Sequence, residues 1–131
     1  MNIGEAAAET GISAKAIRYY ESIGLIPAAE RTESGYRQFS ENAVQTLRFV
    51  RRARNLGFSV ALIDELLSLY RDTNRASGDV RAIALARIVE IDHKMAELSS
   101  MRATLAHLAD KCHGDDRPDC PILEDLAGVD D

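Results

Sequence analysis

The sequence predicts a mainly α-helical protein, and three observations support this prediction. Hydrophobic residues make up 46% of the chain, aromatic residues only 5%, and Trp is missing. The core must therefore consist mostly of Ala, Leu, Ile and Val, a composition that favours helices. Short helical segments with capping serines fill the N-terminal half, and a long helical pattern with an apolar seam follows. We expect a winged helix-turn-helix N-terminal domain, a long dimerisation helix of the coiled-coil type and a C-terminal metal-binding loop.

The first two predicted helices form a helix-turn-helix. Residues 3–10 are predicted to form a short helix that ends at Gly11. Ser13 is suited to cap a second helix over residues 14–22, which Gly24 ends. Two short helices joined by a glycine-bearing turn are typical of this motif.

Four residues of the second helix are candidates for DNA contacts: Lys15, Arg18, Tyr19 and Tyr20. The first three share one face at helical spacing, whereas Tyr20 can face inward with Ile17. A cationic face tipped with an aromatic ring suits the major groove, where Arg reaches guanine edges and Lys reaches phosphates. An ordinary amphipathic helix with a solvated face has the same pattern, so the helix alone leaves both interpretations open.

The segment after the second helix favours DNA binding. Pro27 breaks the helix, and residues 31–39 are predicted to form a tight hairpin that turns at Ser34-Gly35. A small hairpin directly after a helix-turn-helix is a wing, which we expect to lie on the flanking backbone or the minor groove. The candidate contacts of the wing are Arg31, Tyr36 and Arg37.

Two further helices are predicted before a polar linker. Ser40 caps a helix that reaches about residue 56, and Ser59 caps another that reaches about residue 71. We assign residues 1–71 to the DNA-binding domain with its connecting helices, and residues 72–79 to the linker. The apolar stripe of the first of these helices comprises Ala43, Val44, Leu47, Val50 and Ala53.

The segment after the linker is a long dimerisation helix. Asp79 is expected to cap a helix over residues 80–111, which would span about 48 Å. Its apolar positions recur at steps of three and four, as in a coiled coil. A single copy would leave this seam in water, so we expect a homodimer with the two helices parallel or antiparallel. The seam comprises Ala84, Ile88, Ile91, Met95, Leu98, Met101, Leu105 and Leu108.

Both cysteines of the chain, Cys112 and Cys120, lie at the ends of a short acidic loop with seven residues between them. Such a loop can fold back and bring the two sulfurs together. Two thiolates bind a soft metal ion or, when oxidised, form a disulfide. Residues 121–127 are expected to form a short helix with Pro in its first turn, and residues 128–131 a frayed tail. Residues 112–131 therefore form the predicted metal-binding part.

Charge and composition limit the function classes. Residues 1–60 carry eight Lys or Arg against six Asp or Glu, whereas residues 61–131 carry eight against fifteen. A basic N-terminal part on an acidic remainder is compatible with nucleic acid binding. The sequence has no apolar stretch of membrane-spanning length and no signal-peptide pattern, so we expect a cytoplasmic protein. No catalytic triad signature, phosphate-binding glycine loop or facing carboxylate pair indicates an enzyme.

Several segments resemble one known family. They are Asn2-Ile3-Gly4, Lys15-Ala16-Ile17-Arg18-Tyr19-Tyr20-Glu21, Gly24-Leu25, Gly35-Tyr36-Arg37 and residues 52–59. Through them the chain resembles, over essentially its whole length, the MerR family of metal-responsive transcription regulators. The cysteine pair, with Gly114-Asp115-Asp116 inside it and Pro121-Ile122 after it, resembles the copper-efflux branch, which senses Cu(I), Ag(I) and Au(I).

The resemblance implies a mechanism. A homodimer would hold a promoter whose polymerase elements are too far apart, and with metal it would bend and untwist the DNA so that RNA polymerase engages both elements. The regulated genes would serve copper efflux or detoxification. The resemblance also brings Ser77 of the partner subunit close to the ion, where regulators of divalent ions are expected to carry Cys. Amides at the start of the long helix, with Arg81, would offset the excess negative charge of the site.

The donor set favours a monovalent ion and leaves two alternatives open. Two thiolates suffice for Cu(I), Ag(I) or Au(I), whereas Zn(II) wants four ligands. His113 or the loop aspartates would have to complete a zinc site; otherwise His113 tunes the site or faces solvent. A thiol redox sensor that switches through a Cys112–Cys120 disulfide is the other alternative. A drug-binding regulator of the same family would need a larger C-terminal ligand domain.

Overall fold

The structure is a computed structural model that describes residues 1–116 and 118–128. It divides into two compact units, of which the first is Met1–Ala82 and the second begins at Ile83. The described chain is mainly helical, as predicted, with one small antiparallel hairpin. Residues 129–131 of the predicted frayed tail lie outside the described residues. The elements are α1 (Ile3–Thr10), α2 (Ala14–Ser22), β1 (Glu30–Arg31), β2 (Arg37–Gln38), α3 (Glu41–Asn55), α4 (Val60–Arg71), α5 (Ser77–Lys111) and α6 (Pro121–Leu126).

The helix-turn-helix forms where the sequence places it. The side chain of Asn2 accepts a hydrogen bond from the Glu5 amide, and the Glu5 carboxylate accepts one from the Asn2 amide, which closes a capping box on α1. Gly11 ends α1 in the left-handed conformation, with φ of 73°. Ser13 then caps α2 by accepting from the Ala16 amide at 3.1 Å. The predicted bounds of both helices are confirmed.

A buried hydrophobic cluster of the first unit lies between α1, α2 and α3, and Ile63 and Leu67 of α4 are buried as well. Ile17 of α2 is fully buried, and the half-buried ring of Tyr20 packs against the same cluster. All five residues of the predicted α3 stripe are buried, so the face assignment of that helix is confirmed. The central cluster consists of Ala6, Ile12, Ile17, Ile26, Phe39, Ala43, Val44 and Leu47.

The wing is a two-stranded hairpin that is anchored at its base. Glu30 pairs with Gln38 and Arg31 with Arg37 in the antiparallel register. The turn passes through Gly35, whose φ is 84°, so the predicted turn is confirmed. Directly after β2, the buried Phe39 donates its backbone N–H to the Met1 carbonyl at 2.7 Å. This bond ties the base of the wing to the start of the chain.

The serine caps of α3 and α4 are confirmed. Ser40 accepts a hydrogen bond from the Ala43 amide at 3.1 Å, and Ser59 accepts one from the Leu62 amide at 3.2 Å. Each of these bonds satisfies one of the unpaired N–H groups of a helix start.

The start of α5 was predicted wrongly. The helix begins at Ser77 and not at Val80, so Asp79 lies inside its first turn instead of capping it. The reason is local: the Asp79 amide already donates to the Ala76 carbonyl at 3.1 Å, a tight first turn. Within the shorter irregular segment before it, Asp72 accepts a hydrogen bond from the Asn74 amide at 2.8 Å and closes a turn. The helix ends at Lys111, as predicted.

The second unit contains α6 and all of α5 from Ile83 onward. All residues of α5 are described, and none of them is buried. The short helix α6 carries Pro in its first turn, as predicted, and ends one residue earlier than expected. Within the described ranges, no helix has both the length and the apolar character needed to cross a bilayer.

Candidate DNA interface and metal centre

The outer face of α2 is the candidate recognition surface. Lys15, Arg18 and Tyr19 are exposed there, and Tyr19 keeps 53% of its surface in contact with solvent. Ile17 anchors the opposite face in the core at 0% exposure. The fold therefore brings two cations and one phenol together on the exposed face of a helix whose opposite face packs in the core. This geometry is suited to a DNA groove.

Tyr20 differs from these three residues in its surroundings. Its ring packs against the core cluster, and its centroid lies 5.8 Å from that of Tyr19 in a tilted arrangement. Such a pair stabilises the orientation of the exposed ring. The ring of Tyr20 thus supports the recognition face, and its own contact with DNA stays a prediction.

The tip of the wing presents Tyr36, which is 72% exposed. Arg31 reaches across the hairpin and donates from Nη1 to the Gly35 carbonyl at 2.9 Å. The Thr32 hydroxyl accepts the Tyr36 amide at 3.2 Å. These bonds stiffen the turn, so the exposed ring is held on a defined hairpin beyond the recognition helix.

Arg37, the third predicted wing contact, is paired with an acid that the sequence analysis did not single out. Its Nε lies 3.1 Å from Oε1 of Glu21, and both side chains are largely buried. Oε2 of Glu21 accepts the Ala29 amide at 2.8 Å. The only hint in the sequence is an acidic residue at the end of an otherwise cationic recognition helix.

The charge of this carboxylate is stabilised by its partners. Burial, the largest single influence, raises the pKa of the Glu21 carboxyl. The hydrogen bonds from Ala29 and Arg37, and the charges of Arg37 and Arg31, outweigh burial and hold the pKa below its ordinary value. Glu21 is therefore ionised throughout the neutral range.

The arginines of α3 mainly close the fold. Arg48 pairs with Glu9 of α1 at 2.6 Å, and Arg51 donates to the Thr10 carbonyl at 2.9 Å. Arg54 donates to the Phe58 carbonyl at 3.1 Å. These three arginines therefore contact other parts of the protein.

The two cysteines close the loop between α5 and α6. Cys112 follows the last residue of α5 and donates its amide to the Ala109 carbonyl at 3.1 Å. Cys120 is the N-cap residue of α6, and its carbonyl accepts the Glu124 amide at 3.1 Å. Gly114 turns the loop with φ of 64°. Both thiols are free and half-buried, whereas His113 is exposed.

The donor atoms of this loop fit a soft ion of low coordination number. Among residues 1–116 and 118–128, no group of three or more His, Cys, Asp or Glu side chains is arranged to hold a metal. The two free thiols of Cys112 and Cys120 are the candidate soft donors of the loop. Ser77 and Arg81, the other predicted site residues, are both exposed and lie one turn apart at the start of α5, in the first unit.

Comparison with known proteins identifies the family. Residues 1–69 match the family described as MerR HTH family regulatory protein, and residues 44–108 match the one described as MerR, DNA binding. The chain belongs to the MerR family. It is therefore a DNA-binding transcription regulator, and the resemblance seen in the sequence is confirmed.

Individual MerR relatives match the chain along nearly its whole length. It is 62% identical to heavy metal-dependent transcription regulator 2 of Rhizobium meliloti (strain 1021), over 97% of this chain and 86% of that protein. It is 42% identical to the HTH-type transcriptional regulator CueR of Salmonella typhimurium, over 98% and 93%. Among solved structures, PbrR691 of Ralstonia metallidurans CH34 in complex with lead(II) superposes with a TM-score of 0.79, at 32% identity, covering 96% and 98% of the two chains. These relatives are regulators of transcription and not enzymes.

Proposed function

We propose that this MerR-family chain senses monovalent copper-group ions, Cu(I), Ag(I) or Au(I), through Cys112 and Cys120. It would activate genes for copper efflux or detoxification by distorting promoter DNA. One observation carries the proposal: two free, half-buried thiols stand at the ends of one loop, in a chain that is 62% identical to a regulator named for its dependence on heavy metal.

The chemistry of the ion follows from the donors. Cu(I), Ag(I) and Au(I) prefer soft thiolates, and two of them complete a linear site. Zn(II) asks for four ligands in a tetrahedron. The exposed position of His113 in the loop makes it a weak candidate for closing such a site. Two thiolates with one univalent cation leave a net charge of −1, which is smaller than the −2 of the two thiolates without an ion.

A homodimer bound to promoter DNA is part of the proposal. The α5 seam keeps large apolar side chains in water in a single copy; Ile88, Leu98 and Leu105 are 50%, 53% and 57% exposed. A second copy of the chain would cover them, as in a coiled coil. Two winged domains would then read two half-sites in the cytoplasm, next to RNA polymerase at the promoter.

The strongest alternative is a thiol redox sensor, because the same two free sulfurs can form a disulfide. Anaerobic titration of the reduced protein with Cu(I), combined with thiol counting, separates the two functions. The copper proposal expects tight binding of one ion per pair of thiols. Binding that is absent at micromolar excess, together with a disulfide that forms reversibly under mild oxidation, would establish the redox sensor instead.

A promoter reporter tests the response in cells. We expect induction by Cu, Ag and Au salts and none by Zn or Hg salts. Cys112→Ser and Cys120→Ser should each abolish induction while DNA binding is kept. His113→Ala changes an exposed residue of the same loop and should leave induction intact. Persistent induction in either cysteine variant would show that the sensor lies elsewhere, and induction by Zn alone would favour the zinc alternative.

A further inference from the structure

One carboxylate joins the recognition helix to the wing. Glu21 lies in the last turn of α2. Its Oε1 accepts a hydrogen bond from Nε of Arg37, in β2, at 3.1 Å. Its Oε2 accepts one from the backbone N–H of Ala29, directly before β1, at 2.8 Å. Both oxygens are therefore engaged, and each holds a different edge of the wing hairpin.

The position of this acid is unfavourable for electrostatic reasons. A negative charge in the last turn of a helix opposes the helix dipole. The same charge, beside the cationic face of α2, lies on the side of the domain that would meet DNA phosphates, which repel it. The contacts with Arg37 and Ala29 offset these costs, so the carboxylate is best explained by what it holds in place.

We propose that Glu21 is a positioning residue that fixes the wing relative to the recognition helix, and that Arg37 acts on DNA through this pair and not as a phosphate contact. We call the three groups Glu21, Arg37 and the Ala29 amide the wing clamp. Only 28% of the Arg37 side chain is exposed, and its Nε is used by Glu21. Arg31 and Tyr36, by contrast, are exposed on the hairpin.

The wing clamp fixes the spacing between two sets of DNA contacts. The exposed residues of α2 and the tip of the wing must meet the duplex together, so any freedom of the hairpin lowers operator affinity. Hydrogen bonds between charged groups in a partly buried position are among the stronger polar contacts of proteins. This role depends on DNA binding by the MerR domain and is independent of which ion the cysteines bind.

The wing clamp and a simple phosphate contact predict opposite results for Glu21. Without a positioning role, removing a negative charge near DNA should leave operator affinity unchanged or raise it. With the clamp, Glu21→Ala should lower it. Arg37→Ala should lower operator affinity by a similar factor. The double variant, with both substitutions, should bind no more weakly than the weaker of the two single variants, because each substitution already breaks the same pair. We expect a loss of about tenfold, a size typical of coupled pairs.

The salt dependence of operator affinity distinguishes a direct phosphate contact of Arg37 from a positioning role. A lost phosphate contact reduces the slope of log affinity against log salt by about 0.9. Fluorescence anisotropy would be measured at several salt concentrations, on a duplex selected from random-sequence DNA by the unaltered protein. We expect Arg37→Ala to keep the slope. Glu33→Ala, which removes an exposed acid of the hairpin turn, is the matched control and should not weaken binding.

Amide hydrogen exchange on the full chain tests the wing clamp without DNA. Glu21→Gln keeps the shape of the side chain but loses its charge, and it should speed exchange at Ala29 and in β1 and β2 while the amides of α1 and α3 stay protected. A slope reduced by about 0.9 in Arg37→Ala, or unchanged wing exchange in Glu21→Gln, would overturn the proposal. Failure of the unaltered protein to select any duplex would count against DNA binding itself, and the exchange experiment would still decide the clamp.

Discussion

The substitution Gly11→Ala tests the contact between Arg51 and the turn of the helix-turn-helix. A Cβ built on Gly11 would lie only 1.5 Å from Nη1 and 2.6 Å from Cζ of Arg51. The same Nη1 donates to the Thr10 carbonyl at 2.9 Å. The methyl group must therefore push the guanidinium away, which breaks that bond, and the alanine must also adopt φ near 73°.

The magnitude follows from two contributions. Placing a residue with a Cβ in the left-handed region costs about 1–2 kcal/mol. Loss of the Arg51 bond, in a partly exposed position, adds about 0.5–1.5 kcal/mol. Gly24→Ala is the matched control, because Gly24 has φ of 76° but a Cβ added to it would meet no atom of the described residues within 4 Å. We expect Gly11→Ala to lower the free energy of unfolding by about 1 kcal/mol more than Gly24→Ala does.

The assay is urea unfolding of the reduced full-length protein, at one fixed protein concentration because association couples to stability. Arg51→Ala alone should cost only the hydrogen-bond contribution. The double variant should be about as unstable as Gly11→Ala, since the bond is lost in both. Equal costs for Gly11→Ala and Gly24→Ala, or additive costs in the double variant, would refute this account of the turn.

Three further predictions concern the seam, the core and the wing clamp. Leu98→Glu should convert the protein to a folded monomer in analytical ultracentrifugation, whereas Ser100→Glu, on the opposite face of α5, should leave a dimer; an unchanged Leu98→Glu dimer would place the interface elsewhere. Ile17→Ala should lower the free energy of unfolding by about 2–5 kcal/mol, because Ile17 is 0% exposed. The pKa of Glu21 is lowered in the folded state, so the stability it contributes is present above the ordinary pKa of a carboxyl and is lost as pH falls through the lowered value. The stability difference between the unaltered protein and Glu21→Gln should be constant from pH 8 to 6 and shrink below about pH 4.

Local signals in the sequence predict most of the secondary structure. Ser13, Ser40 and Ser59 each precede a helix, and each accepts the expected capping hydrogen bond. A capping side chain and its target amide are three residues apart, so the information needed lies within one turn of the chain. The stripe of α3 is likewise a periodic pattern within one helix, and burial of its residues follows from that period.

Contacts between distant residues could not be predicted in the same way. Glu21 meets Arg37 across 16 positions, and Arg51 meets Thr10 across 41. No periodic pattern connects such residues, and either arginine reads equally well as a phosphate contact. The prediction of where α5 starts was wrong for a different reason. Asp79 is a favourable cap by residue type, but its amide donates to the Ala76 carbonyl, which places it inside a helix that begins at Ser77.

The early start of α5 bears on the proposed ion selectivity. Ser77 is the first residue of the helix. The positive end of the helix dipole lies there and favours negative charge, although the Asp79 amide is already used by the Ala76 carbonyl. Under the proposed arrangement, Ser77 of the partner subunit lies close to an ion held by two thiolates, and a univalent cation leaves a charge of −1. A third thiolate around a divalent ion gives the same net charge. Ser77→Cys should therefore extend the reporter response to divalent ions, and an unchanged ion profile would remove Ser77 from the selectivity of the site.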